Sequence, residues 1–264
     1  MTDFDTIFKA YDVRGTVPDQ FDADGARAIG GAFARFVGAQ GATSIVVGRD
    51  MRPSGEEFSA AFAAGAMDHG LDVVDVGLCA TDMMYYASGV LDMPGAVFTA
   101  SHNPAGYNGI KMCLAKAAPI GADSGLDDIK RMAIAGPDPS GSTGTRSERD
   151  MLAGYVEHVH SFVDITALKP LKVVADTANG MGGLVLPAVF AGLPFELDHL
   201  YPELDGTFPN HPADPIQPEN LKDLRERLLV NGSVVGLAFD GDADRVLLVD
   251  ETSRPISGSL TTAL

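Results

Sequence analysis

Apolar residues recur along this chain with two alternating rhythms. After Asp22 they fall at Ala26, Ile29, Phe33 and Phe36, steps of three and four that trace one helical face. Residues 43–48 (Thr-Ser-Ile-Val-Val-Gly) instead form a short β-branched run, which predicts a buried strand. Ser54 then precedes a second helical face, Phe58, Ala61, Phe62 and Met67, closed by Gly70, and Leu71–Val76 predicts the next strand. Strand, helix, strand in that order implies a βαβ unit and a parallel sheet. Gly95–Ala100 is a further short strand, and it delivers Ser101 to its carboxyl end, where ligands gather in open α/β sheets.

The rhythm breaks over Gly136–Ser147, a stretch of turn formers that predicts a linker or surface loop. Ser147 with Asp150 resembles a capping box, and Leu152, Tyr155, Val159 and Phe162 mark one face of the helix it would start. A second unit follows: strand Leu171–Ala175, a helix over 181–190, and strand Pro194–Leu197. This order echoes the first unit as a weak internal repeat. Pro218 opens another helix with Leu221, Leu224 and Leu228 facing inward and Asn231-Gly232 as its stop. Strand Ser233–Phe239, a tight turn over 240–245 and strand Val246–Val249 come next, and Ser257–Leu264 reads as a cap and first helical turn. The expected fold is therefore α/β, two consecutive α/β domains with mixed, mainly parallel sheets, over 1–148 and 149–255, with 256–264 as the start of a further, truncated domain.

Composition bears this out and excludes alternatives. With 264 residues, 45% of them apolar, the chain is long enough for two ordinary cores. Nineteen basic against 36 acidic residues leave a formal charge of -17, which repels nucleic acid and anionic membrane. An anionic substrate then needs locally placed cations, which directs attention to Arg14, Arg49, Arg52, Lys111 and Arg245. The longest apolar stretch, Leu184–Leu197, is interrupted by Pro187, Gly192, Pro194 and Glu196 and is too short for a membrane span. Two cysteines, Cys79 and Cys113, and an acidic start without a signal-peptide pattern point to free thiols in the cytoplasm.

Two short runs carry the candidate chemistry. Ser101 lies in Thr99-Ala100-Ser101-His102-Asn103-Pro104, a serine fixed at a strand end. A hydrolase nucleophile wants Gly-x-Ser-x-Gly and a separately placed base, and these flanks do not match. Gly106, Asn108 and Gly109 allow a tight backbone, and Lys111 follows as a cation suited to a phosphate. The second run is Asp240-Gly241-Asp242-Ala243-Asp244-Arg245. It resembles a calcium loop, with Glu251 at the twelfth position, but Arg245 stands where that loop needs Gly. Three carboxylates planted at a strand end repel one another unless a cation sits among them, and hard oxygen donors suit Mg²⁺. A phosphate on Ser101 would supply a further ligand, and Arg245 would bind its oxygens as charge spreads in transfer. An aspartyl nucleophile within 240–245 is a competing enzyme reading, and a noncatalytic sugar-phosphate binding module is a third. Arg49 and Arg52 serve either as partners of Asp50 and nearby helix carboxylates or in catalysis; His211-Pro212 with Asp214-Pro215 predicts a rigid loop with one buried polar partner, and Tyr85 and Tyr86 predict packing.

Together with Lys9–Gly15, Gly48–Arg52, Thr99–Lys111 and Asp176–Gly180, the aspartate run resembles, motif by motif and in order, the α-D-phosphohexomutase superfamily, above all its phosphomannomutase/phosphoglucomutase branch. The resemblance implies a phosphoserine enzyme: Ser101 gives its phosphoryl group to a hexose 1- or 6-phosphate, and the resulting bisphosphate returns the other phosphate. It implies Mg²⁺ on Asp240, Asp242, Asp244 and a phosphoserine oxygen, with hexose 1,6-bisphosphate as activator. Lys111 matches the family's general acid/base, His102 a histidine beside the serine, and Tyr11 and Arg14 residues that meet the substrate. The partners implied are small hexose phosphates, and a monomer is expected. The family's later domains, which read the sugar and bind its distal phosphate, have no counterpart after Asp250, so a truncated form is expected.

Overall fold

In the computed structural model, which describes residues 2–138 and 141–263, the two apolar rhythms become alternating strands and helices. The chain divides into two compact units: one ends at Ala100 and resumes over Ala105–Met151, and the other comprises Ser101–Pro104 and runs on from Leu152.

The first unit holds helices α1 (Phe4–Ile7), α2 (Ala23–Gly38), α3 (Gly55–Asp68), α4 (Thr81–Leu91) and α5 (Leu126–Ala135). Its strands are β1 (Val13–Thr16), β2 (Ser44–Arg49), β3 (Asp72–Leu78), β4 (Gly95–Phe98), β5 (Tyr107–Leu114), β6 (Ala118–Pro119) and β7 (Arg146–Glu148). They form one mixed sheet in the order β1-β5-β4-β2-β3-β7, with β6 on β5. Neighbours from β4 to β7 are parallel, and β5 is antiparallel to both β1 and β4. Asp22 caps α2, accepting from Gly25 N at 2.8 Å, and Ala26, Ile29, Phe33 and Val37 are buried beneath it. Phe33, Phe62 and Phe98 form a chain of tilted and edge-on rings 5.7 and 5.5 Å apart, joining α2, α3 and β4 into one core.

The second unit carries α6 (Leu152–His160), α7 (Gly182–Phe190), α8 (Lys222–Asn231) and α9 (Gly258–Ala263). Its sheet orders β11 (Val246–Asp250), β10 (Val235–Phe239), β8 (Leu171–Asp176) and β9 (Phe195–Leu200). β8 runs parallel to β9 and to β10, while β10 and β11 form an antiparallel pair joined by residues 240–245. In both units a helix links two adjacent parallel strands, β2-α3-β3 and β8-α7-β9, which is the echo visible in the sequence.

Several local expectations are corrected. Ser147 is no helix cap: it lies in β7, opposite Val74 of β3, so its backbone belongs to the sheet edge. The loop predicted over Gly136–Ser147 therefore ends in a strand, and its Pro139 and Ser140 lie outside the described residues. α6 stops at His160, which leaves Phe162 73% exposed, edge-on to His158 at 4.8 Å instead of in a core. Pro218 opens a 3₁₀ turn, Pro218–Leu221, before α8 begins at Lys222, and Gly232 ends α8 in the left-handed conformation. β4 is shorter than expected, ending at Phe98, although Thr99 N still donates to Gly109 O at 3.1 Å.

Candidate functional site

β10 is apolar up to Phe239, and the antiparallel return into β11 begins at Val246. Between them the chain makes a turn whose carboxylates crowd together. One oxygen each from Asp240, Asp242 and Asp244 lies within 4.8 Å of the others. Asp240 and Asp242 are fully buried, whereas Asp244 reaches the surface. Ala243 is held at φ 59°, a left-handed conformation that a non-glycine residue adopts at a cost.

Ser101 lies against this turn. Its backbone also occupies the left-handed region, φ 52°, and its side chain is buried. The hydroxyl donates to Asp240 Oδ2 at 2.7 Å. Arg245 ties the group together: its terminal nitrogen donates to Ser101 Oγ at 2.6 Å, to Asp240 Oδ2 at 2.6 Å and to His102 Nδ1 at 2.5 Å. Its Nε also donates to Asp240 Oδ2 at 2.9 Å. A guanidinium accepts nothing, so in the contact with Arg245 it is His102 Nδ1 that accepts. The backbone N–H of Arg245 adds a bond to Asp240 Oδ1 at 3.1 Å.

The electrostatics follow from burial. Loss of water, then the negative charges of Asp242 and Asp244, push the Asp240 carboxyl up to about 7, against the pull of Arg245 and Ser101. Burial acts to lower Arg245, but the charge of Asp240 and its hydrogen bond, followed by Asp244 and Asp242, raise it overall. Three carboxylates thus gather round one turn with Arg245 among them. Clustered hard oxygen donors of this kind fit a hard divalent cation such as Mg²⁺.

Of the candidate residues, Ser101, His102, Asp240, Asp242, Asp244 and Arg245 are brought together within the second unit. Tyr11, Arg14 and Lys111 belong to the first. Tyr11 is 84% exposed on a turn closed by Lys9 N donating to Asp12 O at 2.8 Å. Arg14, in β1, donates to Asp12 at 2.5 Å, and Lys111, in β5, stands opposite Val97 of β4. Arg52 is wholly buried with Asp50, Nε to Oδ2 at 3.2 Å, and donates to Tyr107 O at 2.9 Å, so its visible work is to fix the start of β5.

Residues matching the phosphoglucomutase/phosphomannomutase alpha/beta/alpha domain I extend over 5–135, and those matching its alpha/beta/alpha domain II over 153–253. The chain belongs to this family, within the α-D-phosphohexomutase superfamily. A phosphomannomutase of Salmonella montevideo is 37% identical over 262 residues, 96% of this chain and 57% of that protein. A phosphomannomutase/phosphoglucomutase of Pseudomonas aeruginosa is 40% identical over 254 residues, 95% of this chain and 53% of that protein. A crystal structure of a phosphoglucomutase/phosphomannomutase family protein from Burkholderia thailandensis superposes with a TM-score of 0.89 at 39% identity, covering 97% of this chain and 57% of the other. The chain thus spans a little over half the length of these family members.

The sequence singled out Asp176–Gly180 as a motif and His211 as part of a rigid loop with a buried polar partner, but did not join them beside the aspartate turn. Asp176 is buried at the end of β8 and accepts from His211 Nε2 at 3.0 Å; Asn179, at φ 59°, donates to Glu203 O at 2.9 Å. Asn-Gly three residues past the end of an apolar strand was the available sign of a turn there.

Proposed function

We propose that this chain carries the phosphoryl-transfer centre of a phosphohexomutase that interconverts hexose 6-phosphates and hexose 1-phosphates. The observation that carries the reading is the shared environment of Ser101 Oγ, which is 2.7 Å from Asp240 and 2.6 Å from Arg245 beside three clustered carboxylates. Asp240, Asp242, Asp244 and Ser101 would hold Mg²⁺, which when bound neutralises phosphoryl charge. The bond from Ser101 Oγ to Asp240 Oδ2 at 2.7 Å supports Asp240 taking the Ser101 proton as Oγ forms its bond to phosphorus and the bond from phosphorus to the sugar oxygen breaks. Arg245 is already aimed at Oγ, so its guanidinium meets the charge that builds on the transferred group. His102 Nδ1 accepts from Arg245 and holds that orientation.

Run in reverse, phosphorylated Ser101 gives its group to the free hydroxyl of a hexose phosphate. The bisphosphate so formed then returns its other phosphate, and hexose 1,6-bisphosphate acts as activator by loading the serine. Lys111 supplies and removes the sugar proton, and Tyr11 and Arg14 bind the substrate; these roles rest on the family motifs the residues occupy. Buried, unpaired Cys79 and Cys113 support a reducing cytoplasmic setting, and no described helix is long and apolar enough to cross a membrane. We take the protein to act as a monomer.

Intact-mass measurement after incubation with hexose 1,6-bisphosphate tests the proposal. One phosphoryl group should appear and be lost in Ser101→Ala. A phosphoryl group that persists in Ser101→Ala and disappears in Asp240→Asn would assign the nucleophile to the aspartate turn instead. Binding without any mass gain would reduce the chain to a sugar-phosphate binding module.

A further inference from the structure

We infer that the turn Asp176–Gly180 is the mould of the cation site: it fixes the spacing of Asp240 and Asp242 by clamping the peptide of Gly241 between itself and Ser101. The inference rests on the metal-binding reading above.

Gly241 separates the two buried carboxylates, and it has no room on either side. A Cβ on Gly241 would come within 2.5 Å of the Ser101 carbonyl oxygen. On the other side, a Cβ on Gly180 would fall 2.6 Å from the Gly241 carbonyl oxygen and 2.9 Å from its Cα. Both are backbone obstacles, which cannot rotate away as a side chain can. Met181 N donates to the same Gly241 oxygen at 2.8 Å, so the contact is held as well as close. Any displacement of Gly180 is passed to Gly241 and thence to the carboxylates on either side.

The turn is built to stay still. Ala178 and Asn179 both have positive φ, 47° and 59°, a costly pair for non-glycine residues. The surroundings hold them there. Asp176 Oδ1 accepts from Ala178 N at 2.9 Å, and Asn179 N donates to Tyr201 O at 3.0 Å. The Asn179 amide donates to Glu203 O at 2.9 Å and accepts from Asn210 Nδ2 at 2.8 Å. His211 closes the base: its Nδ1 donates to Pro212 O at 2.9 Å and its Nε2 to Asp176 at 3.0 Å. Two acceptors on two ring nitrogens require the imidazolium, which makes His211 and Asp176 an ion pair under the turn. Asp176 and His211 are positioning residues, acting on the cation through Gly180 and Gly241.

The test is a Mn²⁺ titration of the whole chain by calorimetry, with electron paramagnetic resonance of the bound ion. Gly180→Ala and Asp176→Asn should weaken Mn²⁺ binding by about 10–100-fold, the usual effect of losing an outer-shell support, and broaden the resonance. Gly232→Ala is the control. It strains the left-handed end of α8, where nothing lies within 4 Å, and should lower the melting temperature while leaving Mn²⁺ affinity unchanged. Should Gly180→Ala fail to fold, Asp176→Asn, which keeps the shape and removes the ion pair, carries the test. Wild-type affinity and resonance in the folded Asp176→Asn or Gly180→Ala protein would overturn the inference alone. Absence of Mn²⁺ binding by the wild-type chain would overturn the metal reading and the inference with it.

Discussion

Arg245 is the residue on which the others converge, and its shape matters more than its charge. Its guanidinium satisfies Asp240 through two nitrogens while also reaching Ser101 and His102. A lysine ammonium keeps the charge but is a point donor on a flexible stem and cannot span these partners. Arg245→Lys is therefore expected to slow phosphoryl capture by Ser101 about 10²–10³-fold, read as the rate of mass gain, with an unchanged circular-dichroism spectrum because the side chain is 39% exposed. Ser101, the three aspartates and Arg245 were legible in the sequence because each run is local and each follows an apolar strand. The Arg245–His102 bond was not legible, since it joins positions 143 residues apart through a geometry that no local pattern encodes. The same holds for Asp176 and His211, whose meeting depends on the route of the chain after β9.

At the level of elements, the sequence disclosed the strands that are purely apolar and hid those that serve the sheet differently. β2 reads as Ile-Val-Val and was plain. β5 was not, because it begins Tyr-Asn-Gly, residues that favour turns. Both hold their strand positions for tertiary reasons. Asn108 is buried, donating through Nδ2 to Ser54 Oγ at 2.8 Å, and Gly109 lies where a Cβ would be 2.1 Å from the Val13 carbonyl oxygen. Gly109→Ala must force β1 away from β5, and a loss of about 1–3 kcal/mol is expected in urea unfolding. The α2–α3 crossing obeys the same logic. A Cβ on Gly30 would lie 2.1 Å from Phe62 O, and one on Gly65 2.1 Å from Arg27 O. Gly30→Ala should therefore cost a comparable amount, although alanine is the better helix former and an exposed site would gain from the exchange. A midpoint equal to or above wild type would show that the helices can separate without penalty.

For the whole molecule, acidity and the distribution of aromatic residues set how the fold gives way. Asp72, Asp164, Asp205 and Asp250 each accept from a threonine backbone N–H and hydroxyl, at Thr145, Thr166, Thr207 and Thr252. These bonds to the charged form hold the four carboxyls below the usual value, Asp250 at about 2. Because the folded values are depressed, this stability is complete above about pH 4 and is lost as pH falls through the folded values towards 2. These four carboxyls should therefore add to the fall of an unfolding-versus-pH curve in that window, and Thr252→Val should weaken the contribution of Asp250 there.

Loss of structure should also begin in one unit. The first unit buries Phe21, Phe33, Phe58, Phe62 and Phe98, and β4 is buried along its whole length. The second unit buries no described phenylalanine: Phe162 is exposed, and Phe190, Phe195, Phe208 and Phe239 are half-covered. Each full burial of such a ring contributes roughly 1.5–3 kcal/mol, so the difference in driving force between the two cores is large against the net stability of a domain. Strands whose opening exposes less apolar surface open more readily, and their amides exchange sooner. Hydrogen exchange followed by mass spectrometry should then show peptides from β9, β10 and β11 exchanging well before those from β2 and β4. Equal protection across the two sheets would show that buried phenylalanine does not set which of them opens first.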